Sequence, residues 1–288
     1  MTKLRTLLEM IKFSHSVFAL PFALLAAFLA ARGWPGWQPL ALIIICMVAA
    51  RNVAMTFNRI VDARYDAGNP RTQGRALVTG QISRAAAWSF LLMSAAAFVT
   101  AAVMFWVIAG NPWPLILSPI VLAYLCFYSY TKRFTSLCHF YLGAALCLSP
   151  VAAWIAINPA TLGWQTLVLA LGVMFWVAGF DIIYAAQDVK TDRQQGLHSL
   201  PARLGVNGAL WLSRCSHLVS IVCLSYLISL SDLSWLYLLG VVAMAGLLLW
   251  QHLLVRGGNL ARIHMAFMAA NGSASIVMGL LGIVDVLW

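Results

Sequence analysis

Residues 39–70 read PLALIIICMVAARNVAMTFNRIVDARYDAGNP. The stretch opens on a run of about 20 mostly apolar residues, enough for a helix to cross ~30 Å of hydrocarbon. It closes on Asn58, Asp62 and Asp66, then Gly68, Asn69 and Pro70. Residues four apart share one helix face, about one turn or ~6 Å along the axis. Gly and Asn favour a helix end and Pro cannot continue one, so the three oxygen-bearing side chains belong to the last turns. Like charges at this spacing repel unless a cation sits between them. The segment therefore predicts a membrane helix that carries a stripe of oxygen ligands to one face of the bilayer.

The rest of the chain repeats the first half of that pattern. Its 288 residues are 62% hydrophobic and 9% charged, with a mean hydropathy of +0.88. Those values lie outside the range of soluble domains and predict an all-α polytopic membrane protein. Apolar runs predict nine spans, at 14–31, 39–58, 85–109, 113–130, 136–157, 164–184, 208–230, 233–254 and 263–287. A transmembrane β-barrel would show short alternating segments instead. No small-residue cleavage site leads from the first span into a polar region, so it reads as a retained helix and not a removed leader.

Basic residues set an expected orientation. Lys3, Arg5 and Lys12 precede span one; Arg59, Arg64, Arg71, Arg75 and Arg84 cluster between spans two and three. Lys132 and Arg133, then Lys190, Arg193 and Arg203, then Arg256 and Arg262 occupy every second connection after that. The alternate connections hold only Arg32. The positive-inside rule puts the N-terminus and the charged loops in the cytoplasm, as expected for a prokaryotic inner membrane. The net charge of +10 is thus mainly topology, and no soluble basic domain is present to bind nucleic acid. The six cysteines include no CxxC pair and read as small buried hydrophobes.

Only eight acidic residues occur in the chain. Five fall in two clusters: Asp62 and Asp66 with Asn58, and Asp181, Asp188 and Asp192 with Tyr184. Asp62 and Asp188 are 126 positions apart, as are Asp66 and Asp192. One domain over 1–288, built of two related halves at roughly 1–133 and 134–288, accounts for the match. An even number of spans separates the clusters, which puts both at the same membrane face, a parallel-repeat pattern. Tyr184, Asp188 and Asp192 form the second stripe, and Asp181 lies two turns deeper.

Carboxylates are costly in an apolar chain, and two facing sets imply a bound multivalent cation. Hard oxygen ligands with room for water and phosphate suit Mg²⁺. Acids that hold Mg²⁺, ringed by Arg59, Arg71, Lys132, Arg133 and their basic neighbours, describe a diphosphate site. The plainer reading is a solvated helix end with ion pairs to Arg64, Arg71 or Arg193. Arg51 lies inside the apolar part of span two, where a charge points to a function: an acid partner, diphosphate, or a substrate carboxylate. Phe57, Tyr65, Tyr124, Tyr128 and Phe180 are candidates to line a lipid tunnel or shield a carbocation. The six histidines show no ligand spacing and read as hydrogen-bonded structural residues.

At these residues the chain resembles the UbiA family of membrane prenyltransferases. The family's N-x-x-x-D-x-x-x-D motif is met by Asn58, Asp62 and Asp66 in NRIVDARYDAGNPRTQGRALVTG, residues 58–80. Its second motif is met by Tyr184, Asp188 and Asp192 in DIIYAAQDVKTDRQQGLHSLPARLG, residues 181–205. YSYTKRFT at 128–135 and IKFSHSVFALPFAL at 11–24 are also similar to family segments, while Gln187 departs from subfamilies that carry lysine there. The resemblance implies nine transmembrane helices around a cavity open to lipid, and Mg²⁺-dependent transfer of a polyprenyl chain from its diphosphate to an aromatic ring. Asn58, Asp62, Asp66, Asp188 and Asp192 would hold the metal, and Arg59, Arg71, Lys132 and Arg133 the diphosphate. Asp181 or Tyr184 would orient or deprotonate the acceptor phenol beside Asp188, and Arg51 would bind the acceptor's carboxylate. The expected partners are a polyprenyl diphosphate, a small aromatic acid and the bilayer, with no obligatory protein partner. 4-Hydroxybenzoate is the leading acceptor, with 1,4-dihydroxy-6-naphthoate of the futalosine route close behind. The readings from other classes are a cation- or proton-coupled transporter and an inactive lipid-binding scaffold.

Overall fold

The computed structural model describes residues 18–288. Lys3, Arg5, Glu9, Lys12 and the expected start of span one lie outside the described residues. From Leu20 the chain runs through α1 (Leu20–Ala31), α2 (Trp37–Ala67), α3 (Arg84–Ala109), α4 (Trp113–Thr131), α5 (Cys138–Ile157) and α6 (Trp164–Ala185). A 3₁₀ turn (Ala186–Asp188) and the short α7 (Val189–Gln194) follow, then α8 (Leu200–Leu230), α9 (Trp235–Leu254) and α10 (Ile263–Leu287), which contains a π-helical turn at Ala266–Ala270. Eight of the described helical segments are long and apolar enough to cross a membrane, and α1 is a shorter apolar helix. The chain is an integral membrane protein.

Local chemistry fixes the ends. Ser83 Oγ accepts from the amide of Ala86 to start α3, and Gly110, at φ 65°, closes it in the left-handed conformation. α8 starts at Leu200 and not at the expected 208, because Ser199 caps it and Pro201 suits its first turn. Gly205, at φ 72°, then kinks it where the apolar run begins. Asp285, near the end of α10, accepts from the amides of Ser234 and Tyr237 and from the Ser234 hydroxyl, and so anchors the start of α9.

Each long helix packs on the next, and α10 returns to α1, closing a ring. α1 also crosses the ring to pack on α5. On one side of that crossing α1, α5, α6, α8, α9 and α10 form a dense core around Trp176, Tyr237, Phe22, Leu224 and Met244, all fully buried. α6 is the innermost helix, with 72% of its apolar window buried. Glycines allow the close approach: a methyl at Gly143 would strike the Met174 carbonyl, and one at Gly179 the His217 ring. On the other side α2, α4 and α5 line a cavity. Leu92, Met93, Ile120, Leu218 and Val222 are among the large apolar side chains on the outer surface, where lipid covers them.

Candidate active site

The cavity has a volume of about 630 Å³. Its lining on α4 runs from Pro114 to Lys132 and on α5 from Cys138 to Ala156. At 1.5 Å per residue that extent is ~27 Å, close to the full hydrocarbon thickness. One end is polar and carries both acidic clusters; the remaining walls are largely apolar.

α2 stays helical to Ala67, so the first stripe forms as its spacing predicts. Asn58 Nδ2 donates to Asp62 Oδ2 at 2.6 Å, and its Oδ1 accepts from Arg59 at 2.8 Å. Asp62 is paired with Arg133 at 2.9 Å, and Asp66 with Arg75 at 2.5 Å. The second stripe is not a continuous helical face. α6 ends at Ala185, and the 3₁₀ turn at Ala186–Asp188 turns Asp188 and then Asp192 toward the first cluster. Asp188 takes a two-pronged bond from Arg71, at 2.9 and 2.6 Å, and a third from Asn69 at 3.1 Å. Asp192, 1% exposed, is paired with Lys132 at 2.6 Å and accepts from Ser199 at 2.7 Å.

These pairs show that the clusters face each other. The loop after the first cluster supplies the partners of Asp188, and Gln195 beyond the second donates to the Tyr65 carbonyl at 2.9 Å. The adjacent Lys132 and Arg133, between α4 and α5, divide their charges between the two clusters. Among the described residues each of the four aspartates is ion-paired with a different basic side chain. That is the plainer, ion-pair reading in part: Arg71 pairs with Asp188 as that reading has it, while Arg193 donates to the Ala202 carbonyl instead. Burial opposes the charge on Arg71, yet the bond to Asp188 outweighs it and raises its pKa above the ordinary value. Arg71 also donates to the Tyr184 hydroxyl at 3.1 Å and lies 5.2 Å from that ring's centre. Arg133 lies over the rings of Tyr65 and Tyr130.

Deeper in the cavity, Arg51 lines the wall seven residues before Asn58, and Asp181 seven before Asp188. Each lies ~10 Å below its cluster, at 1.5 Å per residue. Asp181 is bonded to His139 on α5 at 2.6 Å. Tyr65, Tyr124, Tyr128 and Phe180 line the cavity as expected. Phe57 does not; it packs edge-on against Trp88 and Tyr130.

Asn69, Arg75, His139, Gln195 and Ser199 belong to the site, though no sequence spacing singled them out. Asn69 read only as a helix stop, Arg75 as one cation among many, and His139 as a structural residue. Their partners lie across the fold or beyond a turn, which periodicity does not register.

The donor set fits a hard divalent cation that shares a substrate's oxygens. Such sites use one or two carboxylates and leave other positions to water and phosphate. Among the described residues no three His, Cys, Asp or Glu side chains group closely enough to hold a metal. A cation held there would take its remaining ligands from water and substrate oxygens.

The model of the UbiA prenyltransferase family matches residues 19–273. The chain belongs to that family. It is a prenyltransferase, and the transporter and scaffold readings are dropped. The 4-hydroxybenzoate octaprenyltransferase of Shewanella woodyi is 27% identical over 90% of this chain and 88% of its own. The apo structure of a UbiA homolog from Aeropyrum pernix K1 superposes with a TM-score of 0.84 at 30% identity, covering 95% of this chain and 98% of that one. A UbiA homolog from Archaeoglobus fulgidus bound to GPP and Mg²⁺ has the same fold, with a TM-score of 0.73 at 18% identity, over 98% and 99% of the two chains.

Proposed function

We propose that this prenyltransferase moves a polyprenyl group from its diphosphate to a small aromatic acid, with 4-hydroxybenzoate the leading acceptor. One observation carries the reading: two carboxylate clusters and their four cations face each other at the polar end of a cavity about as long as the membrane is thick. Diphosphate binds at that end and the apolar chain fills the rest.

Asp62, Asp66, Asp188 and Asp192, with Asn58, would hold Mg²⁺, which when bound would neutralise the leaving diphosphate. Arg71, Lys132 and Arg133 turn from the carboxylates to phosphate oxygens as charge develops there, and Arg59 supports them from α2. The allylic C–O bond breaks and diphosphate leaves with the electron pair. A ring carbon ortho to the hydroxyl forms the new C–C bond and then loses its proton to the departed diphosphate. The cavity keeps water from the cation, and Tyr124, Tyr128 and Phe180 offer it ring faces. Arg51 binds the acceptor's carboxylate and Asp181 accepts from its phenol, while Tyr184 orients Arg71. The depth shared by Arg51 and Asp181 supports this placement. The charged end of the site faces the cytoplasm of a prokaryotic inner membrane, as the basic loops favour.

The test offers purified protein 4-hydroxybenzoate and 1,4-dihydroxy-6-naphthoate together, with a mixture of prenyl diphosphates, and reads products by mass. Prenylated 4-hydroxybenzoate is the expected product. Prenylated naphthoate alone transfers the reading to that acceptor, and no product from either overturns it.

A further inference from the structure

His139 takes no part in the steps above, yet its surroundings are built. It lies on α5, 2% exposed, and meets polar groups from two other segments. Its Nε2 accepts from the backbone amide of Leu200 at 3.3 Å. An amide can only donate, so Nε2 carries no proton and the neutral ring is protonated at Nδ1. That proton points at Asp181 Oδ2, 2.6 Å away. A backbone amide thus selects the tautomer, and the tautomer orients a carboxylate. Among the described residues Asp181 Oδ1 accepts no hydrogen bond, and Asp181 lines the cavity.

The segment that supplies the amide is itself held by the site. Ser199, next to Leu200, donates to Asp192 at 2.7 Å and caps α8. The amide of His198 donates to the Lys132 carbonyl at 2.7 Å. One short segment therefore touches the diphosphate end of the cavity through Asp192 and Lys132, and its deeper part through His139.

We propose that His139 is a positioning residue for the acceptor. It turns Asp181 so that Oδ1 faces the cavity and accepts from the acceptor's hydroxyl. A phenol that donates to a carboxylate is a more electron-rich ring, so the contact favours attack on the allylic cation. The inference rests on the proposed acceptor reading and adds to it the group that holds the acceptor's partner.

The test uses purified wild type, His139→Leu, His139→Asn, His139→Gln, Asp181→Asn and the double variant His139→Leu/Asp181→Asn. Kinetics are measured with a prenyl diphosphate, Mg²⁺ and 4-hydroxybenzoate. His139→Leu should lower kcat/KM for the acceptor ~10–100-fold, the usual loss when an orienting outer partner is removed. KM for the prenyl diphosphate should stay within about twofold, because His139 has no bond to that end. Asn places its amide N–H near the position of Nδ1 and should restore most of the activity; Gln reaches past Asp181 and should not. The double variant should be no worse than Asp181→Asn, since the two residues act as one unit. Equal loss in Asn and Gln, a further loss in the double variant, or a parallel rise in KM for the diphosphate would each overturn the inference. If His139→Leu does not insert, the order of Asn above Gln decides alone. Wild type inactive with aromatic acids would instead sink the acceptor reading, and this inference with it.

Discussion

Four aspartates at one cavity mouth have four separate basic partners, and the pairs differ in what each substitution should do. Asp62→Ala or Asp188→Ala removes a carboxylate that would hold the Mg²⁺ facing the leaving group's charge. Either should cut kcat by ~10²–10³-fold, with insertion unchanged, as measured by product formation and detergent-solubilised yield. Arg71→Lys keeps the charge and loses the two-pronged bond to Asp188. It should raise KM for the prenyl diphosphate about tenfold, a loss of ~1.4 kcal/mol in binding. The raised pKa of Arg71 also has a consequence for pH. The stabilisation from a base with a raised folded pKa is complete below its unfolded value and fades only above it. For an arginine that point lies beyond ordinary assay conditions, so wild-type KM for the prenyl diphosphate should not rise between pH 7 and 9 through loss of the Arg71 charge. A wild-type rise in that window that is absent from Arg71→Ala would contradict this. The sequence made the aspartates legible because their spacing is local. It did not reveal that Arg75 goes to Asp66, which needs the turn after α2 to fold back, or that His139 goes to Asp181, which needs α5 and α6 to meet.

The elements were legible to within a few residues wherever hydropathy decides them, since a long apolar run has one stable form in lipid. They were less so where it does not. The Tyr184–Asp188–Asp192 spacing reads as one helical face, but a 3₁₀ turn interrupts it and directs Asp188 at Arg71. Likewise α8 begins before its apolar run, on a serine cap and a proline. Close helix approach sets a further expectation. At Gly143 an added methyl would meet the backbone carbonyl of Met174, which cannot swing aside as a side chain can. Gly143→Ala should therefore destabilise the α5–α6 contact by ~1–3 kcal/mol, seen as a lower unfolding temperature in detergent. At Gly246, where nothing lies within 4 Å, Gly→Ala should leave that temperature within about a degree or raise it slightly.

At the scale of the molecule, the crossing of α1 onto α5 divides the ring into a packed half and a half that encloses the cavity. The clusters lie on α2 and after α6, so the chain brings its two acidic sets to one mouth through helices that border both halves. The basic loops predict a cytoplasmic site. A phosphatase fused after Trp288 should be active and a fluorescent protein there dark, since the nine predicted spans would place the two termini on opposite faces. The reverse pattern would put the site outside the cell. The account's central claim is that both clusters serve one Mg²⁺-dependent cleavage of a prenyl diphosphate. The most direct measurement is diphosphate release by purified protein given a prenyl diphosphate and 4-hydroxybenzoate, with Mg²⁺ and again with excess EDTA. Release that requires Mg²⁺ and is lost in both Asp62→Ala and Asp188→Ala is the predicted result. Release that persists in EDTA, or in either variant, would contradict the claim.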